Sequence, residues 1–304
     1  MAVSLALPRR RTRHRPAWAI SPHAGQALIL PMLAGLTLFQ FYPVAVAAAG
    51  SFQSFNPFTG AAEGFAGFAN YRTLFQDPAF LAALRNTILY VALTIVVEIP
   101  LAIGLAQLIN SRLPGTGLLR ITVIAALAAS ETVAVLVWNR LYDPTHGLFN
   151  SVLHLAGISS QPFLTSASQA LPSIVLMSVW KNAGLAVLIF LAGLQNVPAE
   201  LHEAASIDGA GPFRRFGRIT WPFLRRYVVV ALFVSTISAT RVFTPVILMT
   251  QGGPDNGTTN LTYYTYQQAF EFSQYGIADA ATVVLIAILS VVTLMQALAL
   301  RDRR

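Results

Sequence analysis

LRNTILYVALTIVVEIPLAIGLAQLIN, residues 84–110, holds one arginine near its start and one further charge, Glu98, in its interior. A helix needs about 20 predominantly apolar residues to cross a bilayer core, and this stretch exceeds that length. In hydrocarbon a lone segment must satisfy its own backbone amides, so a run of this kind crosses as a helix. Pro100 lies inside it, which a membrane helix tolerates where neighbouring helices re-satisfy the freed carbonyl.

Five more runs of the same kind flank it, at 26–50, 117–141, 170–195, 226–250 and 276–300. Composition agrees: of 304 residues, 55% are hydrophobic and only 11% charged. Soluble domains carry about 25% charge. The expectation is an all-α membrane protein of six transmembrane helices. The signal-peptide alternative for the first run is disfavoured, because the run is longer than the ~7–15 residues of a signal core.

The net charge of +8 invites a nucleic-acid reading, but the charges cluster beside the apolar runs and act there as topology determinants. With the N-terminus inside, the inner face collects Arg9, Arg10, Arg11, Arg13, Arg15, Arg112, Arg120, Arg214, Arg215, Arg218, Arg225, Arg226, Arg301, Arg303 and Arg304. The outer face keeps only Arg72, Arg85 and Arg140, and Lys181 and Arg241 fall within spans. Both termini are therefore expected on the cytoplasmic side. Residues 1–25 read as a basic cytoplasmic tail, 26–83 as the first span and an outer loop, 84–300 as the core, and 301–304 as the cytoplasmic C-terminus. Within the outer loop, Asn70–Phe75 suits a short interfacial helix.

Residues 198–222, PAELHEAASIDGAGPFRRFGRITWP, form the inner loop between the fourth and fifth spans. Pro198 suits a first helical turn, with Glu200 and Glu203 near the positive end of the helix dipole. Ala204 and Ala205 present almost no side chain, so another surface can approach closely. Asp208, Gly209, Ala210, Gly211 and Pro212 break the helix. A second short helix is expected, with Phe213 and Phe216 on its apolar side and Arg214, Arg215 and Arg218 on its wet side, ending where Pro222 starts span five. Such a helix–turn–helix knob fits a groove on a cytoplasmic partner.

The Glu203-Ala204-Ala205 triplet, Gly209 and the closing Ile219-Thr220-Trp221-Pro222 resemble the EAA loop of bacterial ABC importer permeases, with Trp221 in place of the usual leucine. Asp77–Thr87, Tyr142-Asp143-Pro144, Val179-Trp180-Lys181, Ala192–Gln195 and Gly252-Gly253-Pro254 resemble the sugar-type branch that includes maltose, trehalose and glycerol-3-phosphate permeases. The stretch Ile207–Pro212 with Arg214-Arg215-Phe216 is most similar to the glycerol-3-phosphate permease A subunit. The resemblance implies a type I importer permease fold in a bacterial cytoplasmic (inner) membrane. It also implies a second permease subunit, two cytoplasmic ATPase subunits and an extracytoplasmic substrate-binding protein as partners, beside the lipid bilayer. Glu203, Ala204, Ala205, Asp208, Gly209 and Gly211 would then couple to the ATPases. The implied solute is glycerol-3-phosphate, a glycerophosphodiester or an α-linked disaccharide.

No phosphate-binding loop of the Gly-x-x-x-x-Gly-Lys-[Ser/Thr] kind occurs, so ATP and Mg belong to the partner ATPases and this chain is not expected to be an enzyme. There is no cysteine, the histidines show no metal spacing, and no nucleophile has a paired base. Charges within spans are functional candidates by default. Glu131, Lys181, Asn182, Arg241 and Thr244 are read as pathway residues, the two cations suiting an anionic solute. The structural alternative is that Glu98 or Glu131 pairs with a cation to hold helices together. Tyr263 and Tyr264 either bind hydroxyls or bond a neighbouring helix, and Ser235 and Ser238 read as helix-packing residues. The main rival function is an ion-coupled secondary transporter, which needs no exposed Glu-Ala-Ala knob. A membrane-embedded enzyme is the second.

Overall fold

The computed structural model describes residues 22–111 and 113–301, side chains being described from 29 to 299. The tail arginines Arg9 to Arg15, together with Arg112, Arg303 and Arg304, lie outside the described residues. The chain divides into two units at Ala47/Ala48.

The first unit holds α1 (Pro22–Leu36), a π turn (Thr37–Phe41) and most of α2 (Tyr42–Gly50). Pro31 sits inside α1. The apolar part, Ile29–Gly50, is long enough to span.

The second unit opens with a two-stranded antiparallel hairpin, β1 (Gln53–Phe55) and β2 (Ala62–Phe65), and the short helix α3 (Ala69–Gln76). The Asn70 amide donates to the carbonyls of Ser51 and Gln53, and the Tyr71 phenol reaches the Ser51 hydroxyl at 2.8 Å. The expected short helix is thus tied to the hairpin beside it. Next come α4 (Pro78–Asn110), α5 (Thr116–Ala128), α6 (Glu131–Leu141), α7 (Leu148–Leu155), α8 (Ala170–Gln195) and α9 (Ala199–Ile207). The chain closes with α10 (Pro212–Arg215), α11 (Trp221–Thr240), α12 (Leu261–Tyr266) and α13 (Tyr275–Arg301).

Three corrections to the expected spans follow. The run at 117–141 is not one straight helix: α5 and α6 meet at 107° across Ala129 and Ser130. The break exposes the last carbonyls of α5, and the Lys181 ammonium donates to Leu127 O at 2.9 Å. A cation on orphan carbonyls at a helix C-terminus is favourable on both hydrogen-bonding and dipole grounds. One turn along α8, Gly184 lies so close to Val123 O that an added Cβ would approach it to 2.9 Å, so α5 and α8 pack without a side chain between them.

The second correction concerns the fifth span, which covers Pro212–Thr240 rather than 226–250. The helix does not restart at Pro222. A π turn over Phe216–Thr220, with the Trp221 amide bonding Phe216 O, joins α10 to α11 without interruption. Proline in the first turn of α11 has no N–H to donate, and the widened turn just before it lets the helix continue past that position. Beyond Thr240 the chain leaves the helix at Arg241 and resumes near Pro245.

The third concerns Phe213 and Phe216, expected together on one apolar side: Phe216 packs against the cluster around Phe190 and Leu224, whereas Phe213 is 92% exposed.

Buried side chains form one cluster around Tyr90, Trp138, Tyr142, Met177 and Val246, and another around Ala102, Ala106, Val187, Phe190 and Leu224. A third joins Leu74, Phe80, Leu261, Tyr264 and Ala280. On α4, Thr94 and Glu98 fall between residues of the first two clusters. Asn182 does so on α8 and Ser235 on α11. A polar layer therefore separates two apolar ones.

Candidate functional site: a polar cavity and a projecting knob

The polar layer opens into a cavity of about 350 Å³. From α4 it is lined by Tyr90, Thr94 and Glu98, spaced four residues apart and hence on one helix face. From α8 come Ser178 and Asn182, from α11 Ser235 and Ser238, from the start of α6 Glu131, and from the chain after α11 Arg241 and Thr244. Glu131 and Arg241 are exposed at the rim, whereas Glu98 is 3% and Thr94 5% exposed. The Thr94 hydroxyl has no hydrogen-bond partner within the protein. Leaving a buried hydroxyl unpaired costs about 1–3 kcal/mol. In a membrane interior such groups mark pathways or binding sites.

Of the five residues expected on a pathway, Glu131, Asn182, Arg241 and Thr244 converge here. Lys181 does not: it is buried on the α5 carbonyl described above rather than facing the cavity. Tyr263 is buried in the first cluster, and the Tyr264 hydroxyl donates to Asp77. Tyr90, Thr94, Ser178, Ser235 and Ser238 were not anticipated as lining residues. The signal was present as polar residues repeating at three- or four-residue spacing along otherwise apolar helices.

At the other functional element, α9 carries Glu203, Ala204 and Ala205, and Asp208 is its C-cap. Gly209 follows at φ +70°, a left-handed conformation that glycine adopts freely. The Ala210 amide reaches back to Ala205 O at 2.9 Å, closing a Schellman-type C-cap. Arg215 donates to the Ser206 hydroxyl at 2.8 Å, fixing α10 against α9. Glu203, Ala204, Asp208, Gly209 and Gly211 are exposed and Ala205 is half-buried. Ile207 (88% exposed) and Phe213 join them, so the knob presents large apolar side chains that the sequence reading did not assign to its contact face.

In the loop after α6, Asp143 Oδ1 accepts from the amides of Thr145 and His146 and from the Thr145 hydroxyl. The His146 amide first, and then Thr145, hold its carboxyl at about 2. The Asn86 amide donates to Asn256 O at 2.7 Å and to Thr259 O at 2.9 Å, and Asn260 donates to Val242 O at 2.6 Å. The 251–260 loop is thereby stapled to α4 and to the end of α11. Among the described residues no cluster of potential metal ligands occurs.

Long apolar helices around a polar cavity, with an exposed helical knob at the arginine-rich end, define a multi-pass membrane permease. The chain belongs to the family described as binding-protein-dependent transport system inner membrane component, which matches residues 79–304. It is a multi-pass protein of the bacterial inner membrane and a sugar-type ABC importer permease. This displaces the ion-coupled reading.

The chain is similar to the sulfoquinovosyl glycerol transport system permease protein SmoG of Agrobacterium fabrum, with 35% identity over 88% of this chain and 86% of that one. It is also similar to the trehalose/maltose transport system permease protein MalF of Thermococcus litoralis, at 33% over 85% and 87%. The sn-glycerol-3-phosphate transport system permease protein UgpA of Yersinia pestis is 35% identical over 88% of this chain and 91% of its own. A solved bacterial ABC transporter involved in alginate import has the same fold, with a TM-score of 0.81 and 24% identity over 91% of this chain and 95% of that one.

Proposed function

We propose that the chain is one of two permease subunits of an ATP-driven importer, forming half of the pathway for a small, hydroxyl-rich solute, with glycerol-3-phosphate or a glycerophosphodiester first. The observation that carries this reading is the 350 Å³ cavity, where hydroxyls, an amide, carboxylates and the Arg241 guanidinium converge. Hydroxyls of a polyol find both donors and acceptors there, and an anionic head finds Arg241 at the rim. Two of the similar permeases serve systems named for glycerol derivatives. A neutral disaccharide is the second reading. It is favoured because two carboxylates, Glu98 and Glu131, line the cavity with only one guanidinium.

The chain itself holds no nucleotide. Two cytoplasmic ATPase subunits bind ATP and Mg, and the knob bearing Glu203, Ala204, Ala205, Asp208, Gly209 and Gly211 receives their movement. A binding protein delivers the solute from outside. Alternating access then follows from different affinities of the two conformations for nucleotide and solute. The test is ATP hydrolysis by the reconstituted assembly with its binding protein, offered glycerol-3-phosphate, glycerophosphodiesters or trehalose. Stimulation that Glu203→Ala abolishes supports the coupling role, and the ligand that stimulates best names the solute. Stimulation unchanged in the variant overturns that role.

A further inference from the structure

Glu98 lies where two cavities meet. It lines the polar cavity and also a space of about 40 Å³ on its inner side, whose other walls include Leu127, Leu185, Ile189 and Val234. Asn182, Ser235 and Ser238 are likewise shared by both. The inner space has room for only about three waters, and its walls are largely apolar. Past it comes the packed cluster of Ala102, Ala106, Val187 and Phe190. A solute entering from the rim therefore stops at Glu98.

The surroundings of this carboxylate are unfavourable to it. Glu98 is 3% exposed in the middle of an apolar helix, and Ser235 is the side chain within hydrogen-bonding reach. A buried carboxylate with few donors is costly, and one that accepts further hydrogen bonds is much less so. One turn nearer the rim on the same helix face, about 6 Å away, the unpaired Thr94 hydroxyl also points to a missing partner. Both groups lie on one wall of the polar cavity, and a molecule bearing hydroxyls would pair with both.

We propose that Glu98 is a specificity-determining residue of the pathway, accepting a hydrogen bond from a hydroxyl at the leading end of the solute while the trailing end lies toward Arg241. This rests on the hydroxyl-rich solute proposed above. It adds an orientation to that reading and a reason for the pathway to reject deoxy analogues. Sites built to bond a hydroxyl discriminate strongly against ligands lacking it, because the site's own groups are left unpaired.

The experiment is equilibrium binding to the complete importer, held in its nucleotide-bound state by a non-hydrolysable ATP analogue and without binding protein, so that only the pathway selects. The probes are glycerol-3-phosphate and propane-1,2-diol 1-phosphate, which lacks the terminal hydroxyl. A parallel arm uses trehalose and a monodeoxy trehalose. Wild type is expected to prefer the hydroxylated probe. Glu98→Gln, nearly isosteric, is expected to weaken its binding about 10- to 100-fold and to collapse the preference over the deoxy analogue. Co-purification with the ATPase subunits checks that the variant has assembled, and Glu98→Leu provides a second variant. Retained affinity and preference in assembled variants overturns the role of Glu98. Failure of wild type to bind either hydroxylated probe overturns the solute reading instead, and the Glu98 assignment with it.

Discussion

The Tyr264 hydroxyl donates to Asp77 Oδ2 at 2.6 Å, while Oδ1 of the same carboxylate accepts from the Ala79 amide at 2.9 Å. One side chain thus caps the N-terminus of α4 and ties it to a residue 187 positions later in the chain. Burial first, and then the neighbouring carboxylate, push the Tyr264 phenol above its ordinary value, which keeps it a donor. Tyr264→Phe removes a hydrogen bond to a charged group and is expected to cost about 1.5–3 kcal/mol. Thermal unfolding of the detergent-solubilised assembly measures it, and an unchanged midpoint would show that the tie contributes nothing.

Lys181→Met leaves Leu127 O without its donor and removes a cation from the end of α5. A loss of about 1–3 kcal/mol is expected. The α5–α6 corner is expected to open first, seen as faster amide exchange over residues 126–132 than elsewhere. Uniform exchange across the chain would contradict the local role.

Gly209 and Gly211 separate backbone strain from contact. Neither would bring an added Cβ within 4 Å of another group, but only Gly209 has positive φ. Gly209→Ala is expected to cost about 1–2 kcal/mol through its left-handed backbone, and Gly211→Ala close to nothing. Amide exchange at Ala210, whose hydrogen bond closes the cap, reports the difference. Equal protection in the two variants would argue against it.

Asp143 gives the outer loop an acid response. Its carboxyl is lowered from 3.8 unfolded to about 2, so its contribution is complete above about pH 4 and lost as pH falls toward 2. The His146 and Thr145 amides are expected to lose protection across that window in wild type. Asp143→Asn keeps an acceptor that does not titrate, and its loop is expected to stay level between those values.

Much of the fold is legible in the sequence, because hydrophobic length and arginine bias are strong, additive signals. The long helices α4, α8 and α13 sit close to where their apolar runs place them. What misled were local cues whose meaning depends on neighbours. Ala129-Ser130 contains neither proline nor glycine, and the sharp turn there coincides with Lys181, far along the chain, meeting Leu127 O. Pro222 looked like a boundary, but a widened turn just before it lets the helix continue. At the cavity the intramembrane charges were visible singly. Glu131, Asn182, Arg241 and Thr244 were also expected to share a pathway, but Tyr90, Thr94 and Ser178 beside them were not, since a lone polar side chain in an apolar helix serves packing as readily as it lines a cavity. Ser235 and Ser238, read as packing residues, line the cavity because α11 turns that face toward α4 and α8.

The uninterrupted helix from Pro212 to Thr240 makes the knob and the cavity wall two ends of one lever. Its 29 residues extend about 43 Å, so a tilt of about 5° would carry the far tip by about 4 Å. That stroke is wider than a hydrogen bond is long. Movement imposed on Phe213 would therefore displace Ser235 and Ser238 directly, with no relay of side-chain contacts between them, and the π turn at Phe216–Thr220 is where such a lever has slack.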